Sequence, residues 1–233
     1  MRVVALGAVA VLLTGCAAAP PVPAPASGSA VSFGPTRAQP PHGSAPVPYV
    51  KVPRRGSGRY AVVEGRAAPR RGGGPLVRYL VEVEKGLPFG GEEFAADVHA
   101  TLNDPRGWGR FLRVDHGPVR LSVALTSPFT TDRECWPLRT AGELSCWNGR
   151  RSVINARRWA RGVAQYRGDL EGYRHYLVNH EVGHGLGHHH VGCPGRGMPA
   201  PVMVQQSKSL ERCLPNPWPF PASGSGASGR SHR

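Results

Sequence analysis

Residues 180–190 read His-Glu-Val-Gly-His-Gly-Leu-Gly-His-His-His, and the spacing within this run decides how the rest of the chain is read. His180 and His184 stand four apart. On a helix such residues lie one above the other on the same face, so the two imidazoles can grip one zinc ion. Gly187 can adopt positive φ, which ends the helix and turns the chain back. His190 then reaches the metal from another direction. Three neutral nitrogen ligands leave a fourth position for water, which separates a catalytic zinc from a closed structural one. Five fixed positions of this kind coincide by accident on the order of 10⁻⁴ times in such a length. A His-rich helix end facing solvent, or a loose metal-binding tract, would leave Glu181 and Gly187 unexplained. His188 and His189 fit no ligand position. They read as solvent-facing or as supports for the ligands, with replacement of His190 by one of them the lesser alternative.

Working outward, Asp169 caps a helix that runs to about Leu186. Gly183 and Gly185 each cost that helix roughly 1 kcal/mol against Ala, so a close backbone approach to the sheet or the metal is expected in return. Residues 79–85 alternate like a strand. Phe94, Val98 and Leu102 mark one face of a helix over 92–102. Val119, Leu121, Val123 and Leu125 share one face of a strand over 118–126, and residues 152–155 are a short strand. The expected fold is α+β, a sheet with an active-site helix and a loop-rich C-terminal part, in one domain over 76–215. No repeat is visible, and residues 216–233 are expected to be a disordered tail.

The N-terminus reads as a targeting segment. Arg2 precedes an apolar run over residues 3–13 that is too short to span a bilayer as a mature helix. Leu13-Thr14-Gly15-Cys16 looks like a bacterial lipobox, which predicts a signal peptide over 1–15, cleavage before Cys16 and lipidation of its thiol. The alternative is a plain secretory signal cut near Ala17, Ala18 or Ala19. Both export the protein. Residues 16–75 are rich in Pro, Ala, Gly and Ser and read as a linker, with a reach of roughly 40 Å.

Five cysteines leave four once Cys16 is lipidated, and an exported chain can oxidise them. Of the three connectivities, Cys135–Cys146 and Cys193–Cys213 close the short local loops. No C-x-x-C pair suggests a second zinc site. The net charge of +14, from 29 Lys and Arg against 15 Asp and Glu, suits anionic envelope polymers or lipid headgroups. Arginine-favouring codons explain it equally well. Export and the lack of a recognition motif argue against nucleic acid.

The extended histidine motif resembles that of the metzincin zinc proteases. These carry a methionine turn beneath the metal, and the resemblance assigns it to Met203 in Pro201-Val202-Met203-Val204-Gln205-Gln206, ahead of Met198 in a Gly/Pro-rich loop. An ordinary core methionine is the plain alternative. No tyrosine follows Tyr176, so the tyrosine that some metzincins place after this turn is missing and the electrophilic partner stays unassigned. With no cysteine in residues 17–134, a thiol-switch propeptide is excluded. More closely, the chain resembles a secreted actinobacterial metzincin-like family known as a domain of unknown function. The resemblance rests on Tyr79-Leu80-Val81-Glu82-Val83-Glu84, Asn103-Asp104-Pro105-Arg106-Gly107-Trp108, Ser152-Val153-Ile154-Asn155 and residues 173–206. It implies a compact metalloprotease-like domain.

The expected function is that of a lipid-anchored, extracytoplasmic zinc endopeptidase acting on a peptide or protein. A zinc-bound water would be the nucleophile and Glu181 the general base. An extended substrate is expected along the edge of the 118–126 strand. The alternatives are a catalytically idle envelope-binding lipoprotein with a structural zinc site and a hydrolase of non-peptide bonds. A purely structural site has no use for Glu181.

Overall fold

The computed structural model describes residues 50–221. The expected signal peptide, Cys16, most of the expected linker and the end of the expected tail lie outside them. A six-stranded mixed sheet with four α-helices meets the α+β expectation. The strands are β1 (Tyr60–Val62), β2 (Leu76–Glu84), β3 (Arg110–Arg113), β4 (Leu121–Thr126), β5 (Cys146–Trp147) and β6 (Arg151–Asn155). The helices are α1 (Gly91–Asn103), α2 (Pro128–Glu134), α3 (Ala156–Arg161) and α4 (Leu170–Gly185).

The sheet order is β1-β2-β4-β6-β5, with β3 also paired to β2. β2, β3, β4 and β6 run parallel, whereas β1 and β5 are antiparallel to their neighbours. Strand alternation does what its pattern requires. Tyr79, Val81 and Val83 of β2 and Leu121, Val123 and Leu125 of β4 enter the main core. Phe94, Val98 and Leu102 of α1 meet them there, along with Tyr173, Leu177 and Val182 of α4. Spacings of four along α1, and of four and five along α4, put these side chains on one face of each helix.

Three expectations need correction. The 118–126 strand has no free edge, because β4 is paired on both sides, to β2 and to β6. Its continuous burial already suits an interior parallel strand. The outer strand on that side is the two-residue β5.

Residues 50–75 are not linker but part of the domain. Their short apolar run, Tyr60 to Val63, is held by polar groups rather than by a long hydrophobic pattern. The buried Glu84 carboxylate accepts the Gly58 N–H (2.7 Å), the Ser127 N–H (2.6 Å) and the Thr130 hydroxyl (2.7 Å). On the same face of the sheet Arg151 donates to Glu82 from Nε (2.8 Å) and Nη2 (3.1 Å) and lies over the Tyr60 ring. Further along, Asn103 Oδ1 accepts the Arg70 N–H at 2.9 Å.

At the other end the domain continues past residue 215. Asn216 and Trp218 are buried, and the Phe220 N–H donates to the Arg106 carbonyl at 2.9 Å. Both expected disulfides are present, Cys135–Cys146 and Cys193–Cys213. The first ties the end of α2 to β5. The second ties the loop after His190 to the segment after Met203.

Candidate metal centre

Helix α4 carries the first two histidines. Asp169 caps it by accepting the Gly172 N–H at 2.8 Å, as its residue type predicts. At the far end Leu186 is followed by Gly187 with φ +99°. The Gly187 N–H donates to the His184 carbonyl (3.0 Å) and the His188 N–H to the Gly183 carbonyl (2.9 Å). This paired closure satisfies two of the helix's orphan carbonyls, and it turns residues 188–190 back over the end of the helix.

His180, His184 and His190 thereby come together. His190 Nε2 lies 3.3 Å from His180 Nε2 and 3.1 Å from His184 Nε2. The orientation of each helix-borne ring is set by its other nitrogen. His180 Nδ1 donates to the Val202 carbonyl and His184 Nδ1 to the His188 carbonyl, each at 2.8 Å. A carbonyl only accepts, so both Nδ1 atoms carry the proton and both Nε2 atoms present lone pairs.

With its proton on Nδ1, His190 presents a third lone pair to the same point, where a cation would hold all three; with the proton on Nε2 it donates to one of the other two instead. Ligands about 2.0–2.1 Å from a tetrahedral centre lie about 3.3–3.4 Å apart, which is close to the spacing found. The donor set therefore fits a metal ion. Burial keeps the rings neutral, as a ligand must be. It lowers the His180 pKa to about 3, with the positive charge of Lys208 a minor contributor, and it lowers those of His184 and His190.

Glu181 stands on the same turn and is also buried. Its carboxyl makes no hydrogen bond among the described residues, and burial alone pushes its pKa up to about 8. Both Glu181 and the three histidines line a cavity of about 500 Å³. Residues 138–140 and 144–146 of the disulfide-closed segment, with Trp147 beside it, supply another part of its lining, and Gln205, Ser207 and Lys208 a further part.

Met203 is buried under the helix, whereas Met198 is exposed. The turn around Met203 is held by tyrosines. Tyr176 donates to the Val204 carbonyl (3.1 Å), Tyr166 to Gln206 Oε1 (2.9 Å), and Tyr173 shares a hydrogen bond with Ser207 (2.9 Å). The two costly glycines of α4 now have their reason. A Cβ on Gly183 would stand 2.6 Å from Met203 Sδ and 3.0 Å from the Trp108 ring. One on Gly185 would stand 3.0 Å from the Trp147 ring and 3.2 Å from Leu121 of the sheet.

A substitution at Gly183 measures this packing. Helix propensity alone favours Gly183→Ala by about 1 kcal/mol, but overpacking costs about 1–3 kcal/mol. Trp108 cannot easily yield, since its indole N–H donates to the Asn179 carbonyl at 2.8 Å. We expect Gly183→Ala to lower the urea midpoint of unfolding. A raised midpoint would show that the close approach is not confining.

Nothing in the residue pattern around Trp108 predicts a role for it. His188 stacks on its ring with centroids 4.1 Å apart, so His188 supports the site through its ring and its carbonyl. His189 is exposed on the cavity lining. Backbone carbonyls such as Val202 leave no residue-type signal at all.

Neither the curated proteins nor the solved structures yield a match to the chain. Residues 47–213 match the profile of one family and include the histidine motif, the Met203 turn and all four disulfide cysteines; the chain belongs to the family described as Protein of unknown function (DUF3152).

Proposed function

We propose that the chain is a zinc-dependent endopeptidase of metzincin type that works outside the cytoplasmic membrane. The observation that carries this reading is the convergence of three imidazole Nε2 atoms at a cavity lined by a buried, unpartnered carboxylate. Zinc in such a site supplies a Lewis acid for the substrate carbonyl and a lowered pKa for water. The chain's own groups account for the remaining needs. Glu181 accepts the proton of the attacking water and hands it to the leaving amine nitrogen. A nearby positive charge would favour its ionised form, opposing the effect of burial.

Val202 and His188 hold the His180 and His184 rings in one tautomer through their carbonyls. β5 ends the sheet, and its Cys146 and Trp147 line the cavity. An extended peptide can add to it as a further strand. A zinc site kept only for structure would need neither the cavity nor Glu181.

The test is metal analysis of the purified protein, coupled to digestion of a random peptide library with and without chelator. Bound zinc at one per chain is expected, with cleavage that the chelator stops and zinc restores. A metal-loaded protein that cuts nothing across the library would overturn the peptidase reading.

Export and anchoring rest on the lipobox-like Leu13-Thr14-Gly15-Cys16. The two disulfides suit an oxidising compartment. No helix among the described residues is long and apolar enough to cross a membrane. Cys16→Ala should shift the protein from the membrane fraction to the medium or block its processing. Identical fractionation of both forms, with no acyl chain by mass spectrometry, would end the lipoprotein reading.

A further inference from the structure

The cavity at the histidines carries an unbalanced charge. Glu181 is its only acidic lining residue, and it is committed to the proton-transfer role described above. Two cations line the same space, Arg139 and Lys208. Both are exposed, and neither side chain has an ion pair or hydrogen bond among the described residues. Elsewhere in the domain arginines are often paired, as Arg106 is with Asp104, Arg151 with Glu82 and Arg157 with Glu143.

The backbone under each cation is held in place. The neighbour of Arg139, Thr140, is buried and donates its hydroxyl to Asp132, which also accepts the Gly142 N–H at 2.6 Å. The Lys208 carbonyl accepts Gln165 Nε2 at 3.0 Å, and its N–H donates to the Gln205 carbonyl at 2.8 Å. The two cations thus come from two separately anchored segments, one closed by the Cys135–Cys146 bridge and one following the Met203 turn. Apolar and neutral groups, among them Leu138, Leu144, Trp147 and Tyr176, make up much of the remaining lining.

Resting on the peptidase reading, we propose that this cavity selects a peptide carrying a carboxylate beside the bond to be cut, and that Arg139 and Lys208 receive it. Guanidinium matches a carboxylate with two parallel N–H donors, while an ammonium acts as a point charge. The carboxylate comes from an acidic side chain or from a free chain end. An exposed ion pair contributes modestly. Two cations lining one partly desolvated cavity should together give about tenfold in affinity.

The test reads binding rather than cleavage. Fluorescent hexapeptides of one neutral sequence are compared in three forms: amidated at the C-terminus, free at the C-terminus, and amidated with a single glutamate moved through each position. They are titrated by anisotropy against the zinc-loaded full chain bearing Glu181→Gln, and against metal-free wild type, which does not depend on that substitution. At least one carboxylate form should bind about tenfold tighter than the neutral amide. That advantage should vanish in the Arg139→Ala, Lys208→Ala double variant while neutral-peptide binding stays. An advantage confined to the free terminus identifies the chain end as the source, and one confined to a glutamate position identifies the side chain. Equal affinities, no binding by any peptide, or a preference that survives the double substitution would each overturn the proposal. Hydrolysis by wild type is scored separately, so loss of the peptidase reading and loss of charge selection give different results.

Discussion

Glu181→Ala is expected to leave metal binding intact while cutting peptide turnover by about 10²–10⁴, the usual worth of a positioned general base. Metal should stay because the carboxylate is not among the three converging ligands. The same substitution should not destabilise the fold in the way that losing a paired buried charge would. Glu181 has no hydrogen bond to lose among the described residues, and burial already disfavours its charged form. Glu181→Gln, which keeps the volume, should therefore be at least as stable as wild type while being equally slow. A variant that keeps its metal and its full rate would show that another group takes the proton.

The second large effect falls on the metal itself. His184→Ala removes one of three protein ligands, and altering even a group behind a ligand typically costs 10–100-fold in metal affinity. Loss of the ligand should exceed about a hundredfold, read as a matching fall in affinity in a competitive chelator titration. His184 is the informative choice because it is only partly buried, whereas His180 is 5 % exposed and packed against the Met203 turn. Its removal should therefore leave the circular dichroism of the metal-free protein unchanged. Stoichiometric zinc in this variant would refute the ligand assignment.

What was legible in the chain followed from how local the governing physics was. Helix α4, its Asp169 cap, its end at Gly187 and the meeting of His180, His184 and His190 all rest on spacings of a few residues. β4 and α1 declare themselves through periodic apolar positions. The disulfides follow from short loops. By contrast β1 has three residues and β5 two, too few to show a period, and β1 is held by partners far along the chain. Glu84, for example, reaches Gly58 and Ser127, and no rule of spacing joins those positions. The mistaken edge at 118–126 has a physical cause as well. Alternation marks a strand's two faces but says nothing about which strands lie beside it. Arg139 and Lys208 were equally invisible as a pair, since neither stands in a motif and only the fold brings them to one cavity.

The three ligands all fall within an eleven-residue stretch, 180–190. Closing so short a loop costs little chain entropy, so the unfolded chain retains imidazoles that can chelate the ion loosely. Ligand binding stabilises a fold only through its preference for the native form over the unfolded one. If the site takes a metal as proposed, the ion's contribution to the folding equilibrium should thus fall short of its native affinity, and a refolding chain could acquire it before the sheet is complete.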